Sequence, residues 1–201
     1  MSRAPRMTPD ERRCMLVEAT LPLLARHGLK VTSKQIAEAA GVAEGTVFKA
    51  FGDKDNLVRA ALSRGLDPEP ILAELAAVDM GAPVRERVGV VTDILRRRFI
   101  AVFELMLAVG VQGPPDEARR CRDDAQTQHA RILAEVQRIL APDAGEFRLP
   151  LPDVVRIMRL LTFAGSHPLI TDGQPLSVDE ITVVLLDGML RSDSNGGSTT
   201  C

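Results

Sequence analysis

The chain of 201 residues has neither tryptophan nor tyrosine, and only six phenylalanines. That shortage argues against an aromatic cage for a quaternary cation, which depends on such rings. Its three cysteines, Cys14, Cys121 and Cys201, form no CxxC pair and no even-numbered framework, so neither a disulfide scaffold nor a thiolate metal site is expected. Three histidines without an HExxH pattern, and no glycine-rich phosphate loop, leave the usual enzyme motifs unfilled. No run of about 18 apolar residues occurs. The most apolar stretch, Val88 to Val111, is broken by Asp93, Arg96, Arg97, Arg98 and Glu104. The opening MSRAPRMTPDERR lacks the apolar segment of a signal peptide. The expectation is therefore a cytoplasmic protein with no membrane, metal or cofactor partner and no catalytic residues.

Charge is unevenly shared. Residues 1–64 hold eleven Lys/Arg against seven Asp/Glu, and the remainder holds fourteen Arg against twenty Asp/Glu. All four lysines, Lys30, Lys34, Lys49 and Lys54, fall in the basic part. A net +4 on one third and −6 on the rest is the distribution expected if only the first third meets phosphate.

Strand signals are scarce and helical periodicity is strong, which predicts an all-α chain. Thr8, Pro9 and Glu11 make a capping box with proline at the first helical position, starting a helix that runs to His27 and stops at Gly28. Val17, Leu21 and Leu24 face its core side. Pro22 is expected to kink it without ending it. Thr32 and Gln35 form a second capping box, for a helix ending at Ala39 or Ala40 before Gly41. A third helix covers Ala43 to Ala50, and a fourth runs from the Asp53 cap to Gly65. Beyond Asp67-Pro68, helices are expected over Glu69 to Val78, Val84 to Val109, Asp116 to Leu140, Asp153 to Ser166 and Val178 to Leu190, separated by Gly/Pro clusters. The polar, Gly/Ser-rich end reads as disordered.

The stretch TSKQIAEAAGVAEGTVFKAF, Thr32 to Phe51, reads as helix, tight glycine turn, helix. Ile36, Ala37, Val42 and Val47 hold the two helices against the first, and the start of the second is then free to enter a major groove. The wider set Ala19, Gly28, Thr32, Ile36, Ala37, Ala40-Gly41-Val42, Gly45-Thr46-Val47-Phe48, Phe51, Lys54 and Leu57 resembles the DNA-binding domain of the TetR family of transcriptional regulators over Leu16 to Leu57. The resemblance implies a three-helix helix-turn-helix head in residues 1–52, a larger helical ligand-binding and dimerisation domain in 53–191, and a tail in 192–201. It implies a homodimeric repressor that leaves a palindromic double-stranded DNA operator when a small apolar or amphipathic effector binds. The competing function is a helical DNA-binding architectural protein without a ligand, and an apolar cavity in the larger domain would separate the two.

Carried onto this chain, the DNA-binding residues are Thr32, Ser33, Lys34, Glu44, Gly45, Thr46, Phe48, Lys49 and Lys54, with Arg3 and Arg6 as either a contacting arm or a solubilising tail. Phe48 and Ala50 stand where the family usually has tyrosine and often histidine, and neither can donate a hydrogen bond to phosphate. Phe99, Phe103, Met106 and Leu107 form an apolar stripe that is either core or pocket wall, and Phe163 is assigned to the same pocket. His129 is either a core histidine or a ligand contact. The Arg96-Arg97-Arg98 run is expected to be mostly solvated. The last two helices are expected to pair two chains through Val154, Ile157, Leu161, Ile181, Val184 and Leu185.

Overall fold

The computed structural model describes residues 7–110 and 115–189, with side chains of 115–126 and Met189 left aside. Nine α-helices follow in order among the described residues: α1 Pro9–His27, α2 Ser33–Ala39, α3 Glu44–Phe51, α4 Lys54–Gly65, α5 Glu69–Ala76, α6 Val84–Val109, α7 Pro115–Leu140, α8 Leu151–Ser166 and α9 Val178–Met189. Short 3₁₀ turns follow α1 and α7. The all-α class holds, and no helix among the described residues is long and apolar enough to cross a membrane. Arg3, Arg6 and residues 192–201 lie outside the described residues.

Local signals set the helix starts. The Thr8 hydroxyl accepts from the Glu11 backbone while the Glu11 carboxylate accepts from the Thr8 N–H at 2.7 Å, closing the capping box. Those bonds, the backbone one first, hold the Glu11 carboxyl below its ordinary range. Pro22 sits on the exposed side of α1 and does not break the helix. Asp53 caps α4 through the Asn56 N–H at 2.7 Å. Ser177 and Glu180 form a further capping box at α9, with bonds of 2.8 and 3.2 Å.

Two compact units emerge, one drawn from Met1–Asp67 with Ala101–Pro115, the other from Pro68–Ile100 with Asp116–Cys201. The first is built around Leu16, Leu24, Val31, Ile36, Val47, Phe51, Leu57, Val58 and Leu105. Here α4 shares the core of the amino-terminal helices, because Leu57, Val58 and Ala61 are buried in it. Gly28, at φ +56°, lets the α1 terminus approach the end of α6. A Cβ there would overlap the Ala108 carbonyl oxygen.

The second unit has its own core, including Leu75, Val91, Leu95, Val136, Ile139, Val154, Met158, Ile181 and Leu185. Arg87 is buried in it with 3% exposure. Its guanidinium donates to the Ile139 carbonyl at 2.7 Å, to the Ala82 carbonyl at 3.0 Å, and pairs with Asp143. It thereby satisfies a carbonyl that the end of α7 leaves open. Arg96 is not a solvated member of its run: its Nε donates to the Leu176 carbonyl at 2.6 Å, fixing the segment before α9. Arg97 stays exposed and bridges Glu74 and Asp93.

One expectation is corrected here. Val154, Ile181 and Leu185 are 0–2% exposed within a single chain, so they cannot form an outward pairing face. Each helix carries two apolar stripes, and these three belong to the inner one. The outer stripe holds Leu160 on α8 and Val183 and Val184 on α9, all at least 44% exposed, with Ile157 and Leu161 half-buried beside them.

Candidate nucleic-acid interface

The first unit assembles a surface from α2, α3 and the start of α4. The turn between α2 and α3 follows a Schellman pattern: Val42 N–H donates to the Ala37 carbonyl at 2.9 Å and Gly41 N–H to the Glu38 carbonyl at 3.2 Å. Gly41 has φ +67°, a conformation that favours glycine. Thr32 caps α2 reciprocally with Gln35, at 2.9 and 3.2 Å. Ile36, Ala37 and Val47 are buried and Val42 packs against them, so the helix-turn-helix is held from beneath.

Above that core the expected DNA-binding residues lie on the outer side. Thr32, Lys34, Glu44, Gly45, Phe48 and Lys49 are exposed, while Ser33, Thr46 and Lys54 are half-buried. Phe48 keeps 46% of its surface open, unusual for a phenylalanine that had a core to enter. Two features were not legible beforehand. The Ser33 hydroxyl donates to a carboxylate oxygen of Glu44, joining the first residue of α2 to the first residue of α3. The Lys54 ammonium donates to the Leu29 carbonyl at 3.0 Å, which orders the side chain and leaves two of its protons for another acceptor.

The far end of α3 is fixed by residues that sequence reasoning missed. Arg13 of α1 donates to the Ala50 carbonyl at 2.7 Å and lies 4.5 Å over the Phe51 ring. Asn56 donates to the Phe51 carbonyl at 3.0 Å. Both occupy carbonyls that a helix terminus leaves unpaired. Asn56 had a local signal in the Asp53 cap. Arg13 had none, because its partner is 37 residues away.

The residues assigned to an effector pocket separate. In the second unit Phe99 and Phe163 meet edge to face at 5.3 Å, with His167 a further 6.1 Å from Phe163. The Thr92 hydroxyl, on the Phe99 face of α6, is buried without a hydrogen-bond partner. His129 is half-buried, and burial, followed by the positive charge of Arg159, pushes its pKa below the ordinary 6.5. In the first unit Phe103 is 9% exposed and packed, whereas Met106 and Leu107 are 36% and 55% exposed. Leu107 lines an open groove of about 640 Å³ with Pro22, Ala25, Arg26, Glu104 and Ala108. No group of three or more metal-ligating side chains occurs among the described residues.

Residues 16–61 match the model of the bacterial regulatory proteins, tetR family. Over 131 residues the chain is 26% identical to an uncharacterized HTH-type transcriptional regulator of Mycobacterium tuberculosis, covering 65% of this chain and 51% of that protein. It is 41% identical over 59 residues to the uncharacterized HTH-type regulator YvkB of Bacillus subtilis, covering 29% of this chain and 30% of that one. The chain thus spans about half or less of the length of these curated relatives. Among solved structures, a putative transcriptional regulator from Saccharomonospora viridis in complex with choline superimposes with a TM-score of 0.64 at 21% identity, covering 91% of this chain and all of that one. NalD, the secondary repressor of the MexAB-OprM multidrug efflux pump in Pseudomonas aeruginosa, gives 0.57 at 19%, covering 91% and 99%. At these identities the likeness shows the fold. Residues 16–61 of this chain are thus similar to the amino-terminal domain of the bacterial regulatory proteins of the tetR family.

Proposed function

We propose that this chain is a DNA-binding transcriptional repressor that is released from a palindromic operator by a small apolar or amphipathic molecule. The observation carrying the reading is the surface of α3: a helix seated on the core by Val47 and Phe51, its far end held by Arg13, whose Glu44, Gly45, Phe48 and Lys49 are exposed. Lys34, Lys49 and Lys54 supply phosphate contacts, which position the protein without reading sequence. A transcriptional regulator rather than an enzyme is also what the curated relatives are named.

Operator palindromy requires two heads. The outer stripe of Ile157, Leu160, Leu161, Val183 and Val184 is the face on which two copies pair, by an isologous four-helix contact. The recognition helices then stand about 34 Å apart, one turn of DNA. The effector reading is supported by the Phe99–Phe163 ring pair and by two buried hydroxyls without a hydrogen-bond partner in the same unit, Thr92 on α6 and Thr182 on α9. Effector binding moves α4 and with it the paired heads, and a coupling of about 1–3 kcal/mol weakens operator binding about 5- to 150-fold.

The test is titration of the full chain against duplex DNA at several salt concentrations, with sedimentation of the free protein. Expected are a dimer at micromolar concentration and a steep loss of affinity with salt. Lys54→Ala weakens binding to every sequence and flattens the salt slope by about one unit. A monomer, or binding indifferent to salt, overturns the reading.

A further inference from the structure

We propose that Glu44 is the base-reading residue of α3, that it selects a cytosine in each half-site, and that Ser33 holds its carboxylate for that purpose. The inference rests on the DNA-binding reading and deepens it.

An acidic side chain is out of place on a surface meant for phosphate, since like charges repel. Yet Glu44 is exposed at the first position of the helix that faces DNA. A carboxylate only accepts hydrogen bonds. Among groups a duplex offers in the major groove, its partners are the exocyclic amino groups of cytosine and adenine. Adenine sets the N7 acceptor beside its amino group, which suits an amide that both donates and accepts. Cytosine presents the N4 amino group with no acceptor beside it on that base, and this is the edge a carboxylate fits.

Two observations support a role outside the protein. Ser33 donates its hydroxyl to one carboxylate oxygen, which fixes the direction of the group and leaves the other oxygen open. Next to it stands Gly45, a poor helix former, where an added Cβ would meet nothing within 4 Å. No internal packing requires that glycine. Its bareness lets another body come close beside Glu44, as a base edge must. The plainer role for Glu44 is that of a negative charge at a helix start, favourable to the helix dipole. That role affects folding stability and carries no base preference, so experiment separates the two.

Full-length wild type, Glu44→Gln, Glu44→Ala and Ser33→Ala are each used to select from a duplex pool with a randomised centre, and selected and random duplexes are titrated. Wild type is expected to enrich a C·G pair at one symmetric position per half-site, discriminating about tenfold against other pairs. Glu44→Gln should move the preference at that position to adenine, and Glu44→Ala should abolish it. Both should bind random duplex more tightly, because a repulsive charge is gone. Ser33→Ala should keep cytosine with weaker discrimination. If both Glu44 variants select the wild-type sequence, or wild type enriches no C·G pair sensitive to position 44, the proposal is overturned while DNA binding stands. If wild type binds no duplex in the pool, the DNA-binding reading fails and this inference with it.

Discussion

The two units are held together by different kinds of instruction. In the first, three helix starts close on residues three positions away, Thr8 with Glu11, Thr32 with Gln35 and Asp53 with Asn56, a glycine turn joins α2 to α3, and Arg13 adds one longer reach to the end of α3. In the second, key closures are long-range. Arg87 reaches the α7 terminus across 52 residues of sequence, and Arg96 reaches Leu176 across 80. Locally specified structure forms at little cost in loop-closure entropy, whereas the second kind depends on the whole core being in place. Under the proposed function, a head that presents one fixed surface is served by the first, and a body that rearranges around a ligand tolerates the second.

The largest test of this contrast is Arg87→Ala. It leaves Asp143 and the Ile139 carbonyl without their partner, and losing one side of a buried pair costs about 3–5 kcal/mol. Thermal unfolding should show the loss, and hydrogen exchange should place it at α6, α7 and the turn after α7. The Arg87→Met, Asp143→Leu double variant should recover part of it. Loss of protection first in α2 and α3 would break the distinction between the units.

A smaller effect follows from Thr32→Ala, which removes the reciprocal cap of α2. About 1 kcal/mol is expected in denaturant unfolding, with exchange increasing in α2. An unchanged midpoint would mean that tertiary packing alone starts the helix.

His129 sharpens the comparison through pH. Its folded pKa lies below the ordinary 6.5, so on acidification the unfolded chain takes up the proton first. Stability should therefore fall as pH drops below about 6.5 and be indifferent to this group above it. His129→Gln should remove that part of the slope, read from unfolding midpoints at pH 5.5 and 7.5. A slope that survives assigns it to other groups.

Phe48→Tyr should have the smallest effect on folding, because the new hydroxyl faces solvent on an exposed side chain. For DNA it should matter more. A hydrogen bond to a charged group contributes about 1.5–3 kcal/mol at best and less in water, so several-fold tighter binding to specific and random duplexes alike is expected. Weaker binding would show that the ring occupies an apolar niche; tightening on one sequence alone would show that it touches bases.

These contrasts also explain what the sequence disclosed. Caps, the Gly41 turn and the limits of α6 were readable because each depends on near neighbours. The sequence reading starts α8 at Asp153, whereas the helix begins at Leu151 with Pro152 in its first turn, where a proline lacks only an N–H the helix does not need. The pairing residues Val154, Ile181 and Leu185 were misassigned because periodicity shows that a stripe is apolar but not which of two stripes turns inward. The positions expected to bind DNA come from a contiguous motif and are exposed or half-buried on or next to α2, α3 and the start of α4. The pocket residues came from a single helix stripe, and a stripe spanning Phe99 to Leu107 runs through two units. Arg13 and Ser33 act through partners 37 and 11 residues away, beyond the reach of any local pattern.

Lys54 shows what being held in advance means for recognition. A lysine in solution samples many rotamers, and freezing it against a phosphate forfeits up to about 1.5–2 kcal/mol. Lys34 and Lys49, exposed, face that loss in full. Lys54 has already settled on the Leu29 carbonyl during folding, so the loss is charged to the fold and not to the encounter. Its contact with DNA should carry a smaller entropic penalty than those of its neighbours.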